Sequence, residues 1–241
     1  MTPRTAMLLA AGLGKRMRPL TDRTAKPLLP LGGRALIDHA LDRLADTGVA
    51  TVVVNAHWQA DRLAAHLATR TRPCTTLRRE ASLLDTGGSV KAALDLLGSE
   101  PFFVVNGDAF WVDGPLPALA RLVAAFDPSK MDAVLLVHRT FQVHADVGFG
   151  DFALDSWGVP RRRREREIVP YIYAGLQVIA PALLADTPDG AFSMNQAWNT
   201  AMATGRLRAV VHDGLWFHLS TPADLAEAES ILQARLTGET R

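Results

Sequence analysis

A single cysteine, Cys74, stands among 241 residues. That excludes an internal disulfide, and no cysteine–histidine spacing of the zinc type occurs. Long apolar runs are also missing. The longest early one, Ala6 to Ala11, is too short for a secretory segment and opens directly into a glycine-rich, basic loop. Nothing approaches the roughly 20 apolar residues of a membrane helix. Charge of one sign is not in excess, because 26 Lys and Arg face 25 Asp and Glu. No global field therefore draws the chain to nucleic acid or to an anionic membrane, and any anion must be caught locally. These absences predict a protein of the reducing cytoplasm with neither nucleic acid nor membrane as partner. No repeat or linker divides the chain, and 48% hydrophobic content suits one domain over residues 1–241. No pattern specifies an oligomer.

Short β-branched or apolar runs alternate with segments of helical period. This is the mark of an α/β, doubly wound, Rossmann-like sheet, mostly parallel, with helices on both faces. Strands are expected at Ala6 to Ala10, Thr51 to Asn55, Thr75 to Arg79, Phe102 to Asn106 and Ala133 to His138. Helices are expected at Leu36 to Thr47, Ala60 to Thr69, Gly88 to Leu97 and Leu116 to Ala125. Further on, Gly148 to Leu154 and Ile172 to Ile179 read as antiparallel additions around a turn at Asp155 to Gly158. Ser193 and Gln196 form a capping-box pattern for a helix running to Ala203. Thr221, Pro222 and Asp224 open a last helix to about Leu236.

The first strand ends in Leu9, Ala10, Ala11, Gly12, Leu13 and Gly14. Small residues here let backbone N–H groups approach an anion, for which a phosphate is the natural guest. A dinucleotide fingerprint fails, since Met17 replaces the third glycine and Pro19 interrupts the helix that should follow. A Walker loop fails as well, with Leu9 and Arg16 where glycine and Ser or Thr belong. A tight strand–loop turn without ligand is the plain alternative. The continuation through Pro30 carries three prolines and the basic residues Arg16 and Lys26, whose charges come within reach of the same nest.

A second feature is Asn106-Gly107-Asp108 at the end of an apolar strand. Ligands of open α/β sheets gather beyond the carboxyl ends of strands, so Asp108 is placed to hold Mg²⁺ against triphosphate oxygens. The alternative is a simple Asn-Gly-Asp turn. A third is Leu83 to Ser89, with Asp85, Thr86 and Gly87 before a helical segment. Its glycines allow the backbone to approach a flat base, while Asp85 or Thr86 also suits a helix cap.

The stretch from Gly12 to Gly33, with its glycine pair, arginine, Pro-Leu-Thr and Lys-Pro, resembles the signature of the sugar-1-phosphate nucleotidyltransferases, whose fold is of the GT-A type. The Thr-Gly-Gly at residues 86–88 is similar to that of the uridylyltransferases acting on N-acetylmuramic acid 1-phosphate, enzymes of cell-wall recycling. The resemblance implies a nucleoside triphosphate, UTP in preference, and a sugar 1-phosphate as substrates, with Mg²⁺ or Mn²⁺ as cofactor and pyrophosphate as product. It implies that residues 1–140 hold the nucleotide and 141–241 the sugar. Arg16 would grip the β- and γ-phosphates, and Lys26 the α-phosphate and the sugar phosphate. Asn106, Gly150, Glu167 and Gly175 would embrace the sugar, and Asp108 would carry the metal. Relatives that transfer guanylyl, thymidylyl or cytidylyl groups to mannose, heptose or glucose phosphate share this pattern.

One departure stands out. Trp216 to Asp224 reads WFHLSTPAD where such proteins commonly show Trp-x-Asp-Val-Gly-Thr-Pro, so His218 takes the place of a metal carboxylate. Imidazole is a poor magnesium ligand. His218 is thus open to three roles: a ligand of a softer ion such as Mn²⁺, a contact to phosphate, or packing. The same departure motivates the alternative of a non-catalytic nucleotide-sugar sensor. Arg161 to Arg166 holds five arginines in six residues, read either as a solvated hairpin flank or as a local anion site.

Overall fold

The computed structural model describes residues 2–143 and 145–237. In chain order it contains β1 (Thr5–Leu9), β2 (Pro30–Leu31), β3 (Arg34–Ala35), α1 (Leu36–Asp46), β4 (Thr51–Ala56), α2 (Ala60–Leu67) and β5 (Cys74–Arg79). There follow α3 (Asp85–Ala92), α4 (Leu94–Leu97), β6 (Phe102–Asn106), β7 (Phe110–Val112), α5 (Ala118–Ala125) and β8 (Ala133–Arg139). The remainder holds β9 (Phe152–Leu154), β10 (Pro160–Arg162), β11 (Tyr171–Ile179), α6 (Met194–Ala203), β12 (Leu207–Val211), β13 (Leu215–Phe217) and α7 (Pro222–Thr237).

Nine strands form one sheet in the order β10-β9-β11-β6-β1-β4-β5, with β8 and β12 branching from β11. The pairs β1–β4, β1–β6, β4–β5 and β8–β12 are parallel, and β11 runs against β6, β8 and β9. Continuous apolar runs make the central strands because both faces are covered: Val52, Val53 and Val54 are buried, as are Phe102 to Val105. Helix α1 buries Ile37, Ala40, Leu41 and Leu44, a single stripe at helical spacing, into the core on one face, and Leu36 into a smaller cluster with Met17, Leu31 and Phe110. Phe192, Met194, Ala197 and Trp198 pack the other. No helix among the described residues is long and apolar enough to cross a membrane.

The expected strands of the first half are all present. Where elements differ, backbone chemistry gives the reason. The segment expected from Gly148 is strand only from Phe152, because Gly148 and Gly150 hold φ of 65° and 76° and break the pleat. The helix expected over Gly88 to Leu97 begins at Asp85 and divides at Ala93, whose φ and ψ of −98° and 2° leave the helical region. The helix expected from Leu116 begins at Ala118, after Pro117 in extended conformation. Strands β7, β10 and β13, of three residues each, are too short to show a period of their own and acquire their state from pairing.

The helix caps follow the sequence more closely. Ser193 accepts the Asn195 N–H at 3.3 Å, but Gln196 returns no side-chain bond, so only half of the expected box forms. At α7 the box is complete in another form: Asp224 N–H donates to Thr221 Oγ1 at 3.2 Å, and Asp224 Oδ2 accepts from Thr221 N–H at 2.7 Å and Ser220 N–H at 2.9 Å.

Candidate active site

The loop after β1 and the turn after β6 meet because their strands are neighbours. Gly107 N–H donates to Leu9 O at 2.8 Å, and a β-carbon on Gly107 would lie 2.8 Å from both Leu8 Cδ2 and Leu9 O. Only glycine lets the second turn pass beneath the first. Pro27 closes on the same point, 3.3 Å from that position. The short helical turn Lys26–Leu28 is thereby pressed against Asp108, and Lys26 Nζ lies 2.5 Å from Asp108 Oδ2.

These groups stand at the junction of two chambers. The larger, of about 530 Å³, is lined by Leu9, Ala10, Ala11, Gly12, Gly14 and Arg16, by Asn55, Glu80, Asp85, Thr86 and Ser89, and by Lys26, Asn106, Asp108 and Ser220. The smaller, of about 230 Å³, is lined by Asp151, Ile172 to Gly175 and Trp216 to Ser220. Arg16, Lys26, Asn106, Asp108 and Ser220 belong to both. Two molecules placed side by side would share that cationic seam.

Along the larger chamber the loop has the chemistry of an anion nest. The N–H groups of Ala11 and Gly12, two residues of the chamber lining, donate to no described residue, and unpaired amides beside a cavity suit phosphate oxygens. Ala10 N–H is held instead by Asn55 Oδ1 at 2.6 Å. From there a buried network runs outward. Asn55 Nδ2 donates to Glu80 Oε1 at 2.8 Å and Ser89 Oγ to the same oxygen at 2.6 Å, while Glu80 Oε2 accepts from Leu84 N–H at 3.3 Å. Glu80, 8% exposed, therefore ties the floor of the nest to the loop that closes the chamber.

In the smaller chamber β11 is irregular between Tyr173 and Gln177. Gly175 there adopts φ +85°, and a β-carbon on it would come 3.2 Å from Asn106 Nδ2. Asp151 Oδ2 accepts from Tyr173 N–H at 2.9 Å. Trp216 Nε1 donates to Ala174 O at 2.9 Å and fixes the opposite wall. His218 Nε2 meets Ser220 Oγ at 2.7 Å. Burial holds the His218 pKa below the ordinary histidine value, with Arg16 and Lys26 adding to the depression and Asp224 and Asp108 opposing it.

Most expected site residues thus face one cleft: Leu9 to Gly12, Gly14, Arg16, Lys26, Asp85, Thr86, Asn106, Asp108, Gly175 and His218. Leu13, Gly87, Gly150 and Glu167 are not brought to its walls. Gly87 is glycine for packing, since a β-carbon would lie 2.3 Å from Phe192 Cε2, and its N–H and that of Gly88 both donate to Phe192 O. Those amides are therefore spent within the fold, not offered to a base edge. Gly150 answers a backbone crossing, with Val169 O 2.3 Å from a would-be β-carbon. Glu167 is drawn off by Arg161 at 2.5 and 2.8 Å, which with the Arg164 N–H lowers its pKa to about 2. Arg162 leaves the basic run as well, stacked 4.7 Å over Phe152 and bonded to Asn195 and Asn199 of α6. The sequence reading missed Asn55, Glu80, Ser89 and Asp151. A polar Asn55 closing a run of valines was the available signal.

Residues 6–186 match the model of the MobA-like NTP transferase domain. The chain is 40% identical to the N-acetylmuramate alpha-1-phosphate uridylyltransferase of Caulobacter vibrioides, over 99% of this chain and 97% of that protein. It is 31% identical to the enzyme of the same name from Neisseria meningitidis serogroup B, over 95% and 98%. In fold it is similar to a UDP-glucose pyrophosphorylase crystallised with UDP-glucose, with a TM-score of 0.82 at 16% identity, covering 98% of this chain and all of that one.

Proposed function

This chain belongs to the MobA-like NTP transferase family, and from that premise we propose that it is a cytoplasmic enzyme transferring the uridylyl group of UTP to N-acetylmuramate α-1-phosphate with release of pyrophosphate. The observation that carries the reading is the pair of chambers sharing Arg16, Lys26, Asn106 and Asp108. The choice of base and sugar draws on the two uridylyltransferase relatives, which align over nearly the full chain.

The acceptor phosphate needs no general base, because a phosphate monoester with a second pKa near ~6 is already mostly dianionic at neutral pH. One of its oxygens forms a bond to the α-phosphorus as the bond to the pyrophosphate oxygen breaks. The barrier is repulsion between two anions together with charge building on the leaving group. Arg16 and the free amides of Ala11 and Gly12 would face the leaving phosphates, while Lys26 at the seam would lie between donor and acceptor. Catalysis is then positioning plus electrostatics in a partly desolvated cleft.

The residues present suit a hard divalent cation. Asp108 offers carboxylate oxygen beside the nest, and Mg²⁺ keeps several waters and substrate phosphate oxygens, so one protein carboxylate suffices. No group of three His, Cys, Asp or Glu forms a metal cluster among the described residues. When held by Asp108, the ion would supply positive charge that offsets the charge of the triphosphate. His218, already engaged by Ser220, serves the acceptor wall.

Pyrophosphate release measured for each triphosphate against a panel of sugar 1-phosphates tests the proposal. UTP with N-acetylmuramate α-1-phosphate is expected to turn over fastest. Tight nucleotide-sugar binding with no turnover of any pair under Mg²⁺ or Mn²⁺ would refute it in favour of a sensor.

A further inference from the structure

The two charged side chains on which the proposed reaction most depends occupy one another. Lys26 Nζ lies 2.5 Å from Asp108 Oδ2, with the lysine side chain 14% exposed and the carboxylate 36% exposed. This contact is built into the fold. Lys26 opens a short turn whose Pro27 is buried, and Gly107 carries no side chain where Pro27 and Leu8 press in. Two loops from residues 82 positions apart are thus clamped with their functional groups facing. Among the described residues no group of three His, Cys, Asp or Glu forms a ready-made metal cluster at Asp108.

From this geometry we infer that the Lys26–Asp108 ion pair is a latch that keeps the divalent cation out of the free protein and releases Asp108 when a substrate phosphate draws Lys26 away. A cation approaching Asp108 meets an ammonium already seated on its carboxylate, in a cleft where screening is incomplete. A phosphate dianion at the seam competes for the same ammonium and supplies more charge than Asp108 does. Once Lys26 turns to the phosphate, the carboxylate is free for the metal. Because such coupling is reciprocal, phosphate tightens metal binding and metal tightens phosphate binding by the same factor. The protein so arranged holds metal only weakly without substrate. The inference rests on the reading of Asp108 as the metal carboxylate.

The test is a titration of the full chain with Mn²⁺, reading free ion by electron paramagnetic resonance without nucleotide. Wild type is expected to bind weakly. Lys26→Met is expected to bind at least about tenfold more tightly, and Lys26→Gln, retained as a second variant should the first not fold, to do the same. Adding Asp108→Asn to either should abolish the gain. Glucose 1-phosphate, a weak chelator, should tighten Mn²⁺ binding to wild type and leave Lys26→Met unchanged. If the Lys26 variants match wild type while Asp108→Asn alone weakens binding, the latch is overturned and the metal assignment survives. If Asp108→Asn changes Mn²⁺ binding in no background, with or without glucose 1-phosphate, the assignment of Asp108 falls and the latch with it.

Discussion

Gly12 and Gly14 stand two residues apart and are glycine for different reasons. Gly14 has φ +60°, and a β-carbon would meet Thr21 Cγ2 at 2.9 Å, so the turn itself requires it. Gly12 has neither a left-handed backbone nor any atom within 4 Å of a would-be β-carbon, so nothing in the fold asks for glycine there. A methyl group on it would instead enter the larger chamber, where the proposed triphosphate would approach the loop. Gly12→Ala is therefore expected to leave thermal stability unchanged while weakening triphosphate binding about tenfold, close to 1.4 kcal/mol. Gly14→Ala should cost ~1–3 kcal/mol of stability through backbone strain. Calorimetric melts beside nucleotide titrations separate the two. At the seam, Lys26→Ala and Asp108→Ala are each expected to lower kcat by at least about 100-fold with the fold intact. Steady-state kinetics on variants of native circular dichroism checks this, and near-normal rates would end the assignment.

Elements position these residues, and their supports can be tested apart from the chemistry. Ser193 caps α6, which carries no residue of the cleft, so Ser193→Ala should lower stability by ~1 kcal/mol with kcat and both KM values unchanged. Glu80 behaves otherwise, since it joins β4 through Asn55 to the start of α3 through Ser89 and Leu84. Glu80→Ala leaves those donors buried without an acceptor. It is expected to cost about 1–3 kcal/mol and to raise KM for the triphosphate more than for the sugar phosphate. Equal effects on the two would show that Glu80 does not specifically brace the nucleotide chamber. At this scale the continuous valine run of β4 and the apolar stripe of α1 were legible, since each carries its own period. Strands β7 and β13 were not, because three residues contain no period and Trp216 becomes a wall only through its bond to Ala174 O.

Across the whole molecule, stability should depend on two buried histidines. His138 and His212 are 1% and 0% exposed with ring centroids 5.9 Å apart. Burial lowers the pKa of each below the ordinary value of 6.5, and for His212 the neighbouring His138 lowers it further. As pH falls through 6.5 the unfolded chain takes up protons that the folded chain refuses, so stability is complete above that value and declines below it. Urea melts at pH 5 and pH 7.5 should show the loss, and His212→Asn should flatten the dependence. An unchanged slope would mean that other groups carry it.

Local pattern was enough to reveal the fold class, the glycine-rich loop after the first strand and the kinds of residue the proposed chemistry needs. Strand and helix periods, glycine placement and the Lys-Pro and Asn-Gly-Asp turns are properties of short segments. Which of these residues meet depends on the folded chain. Gly175 reached the cleft while Gly150 and Glu167 did not, and Asn55 and Glu80 emerged as the buried tie beneath the nest. Such contacts join residues distant along the chain and depend on the order β11-β6-β1-β4-β5. That order is set by the packing of whole faces, which no local pattern encodes.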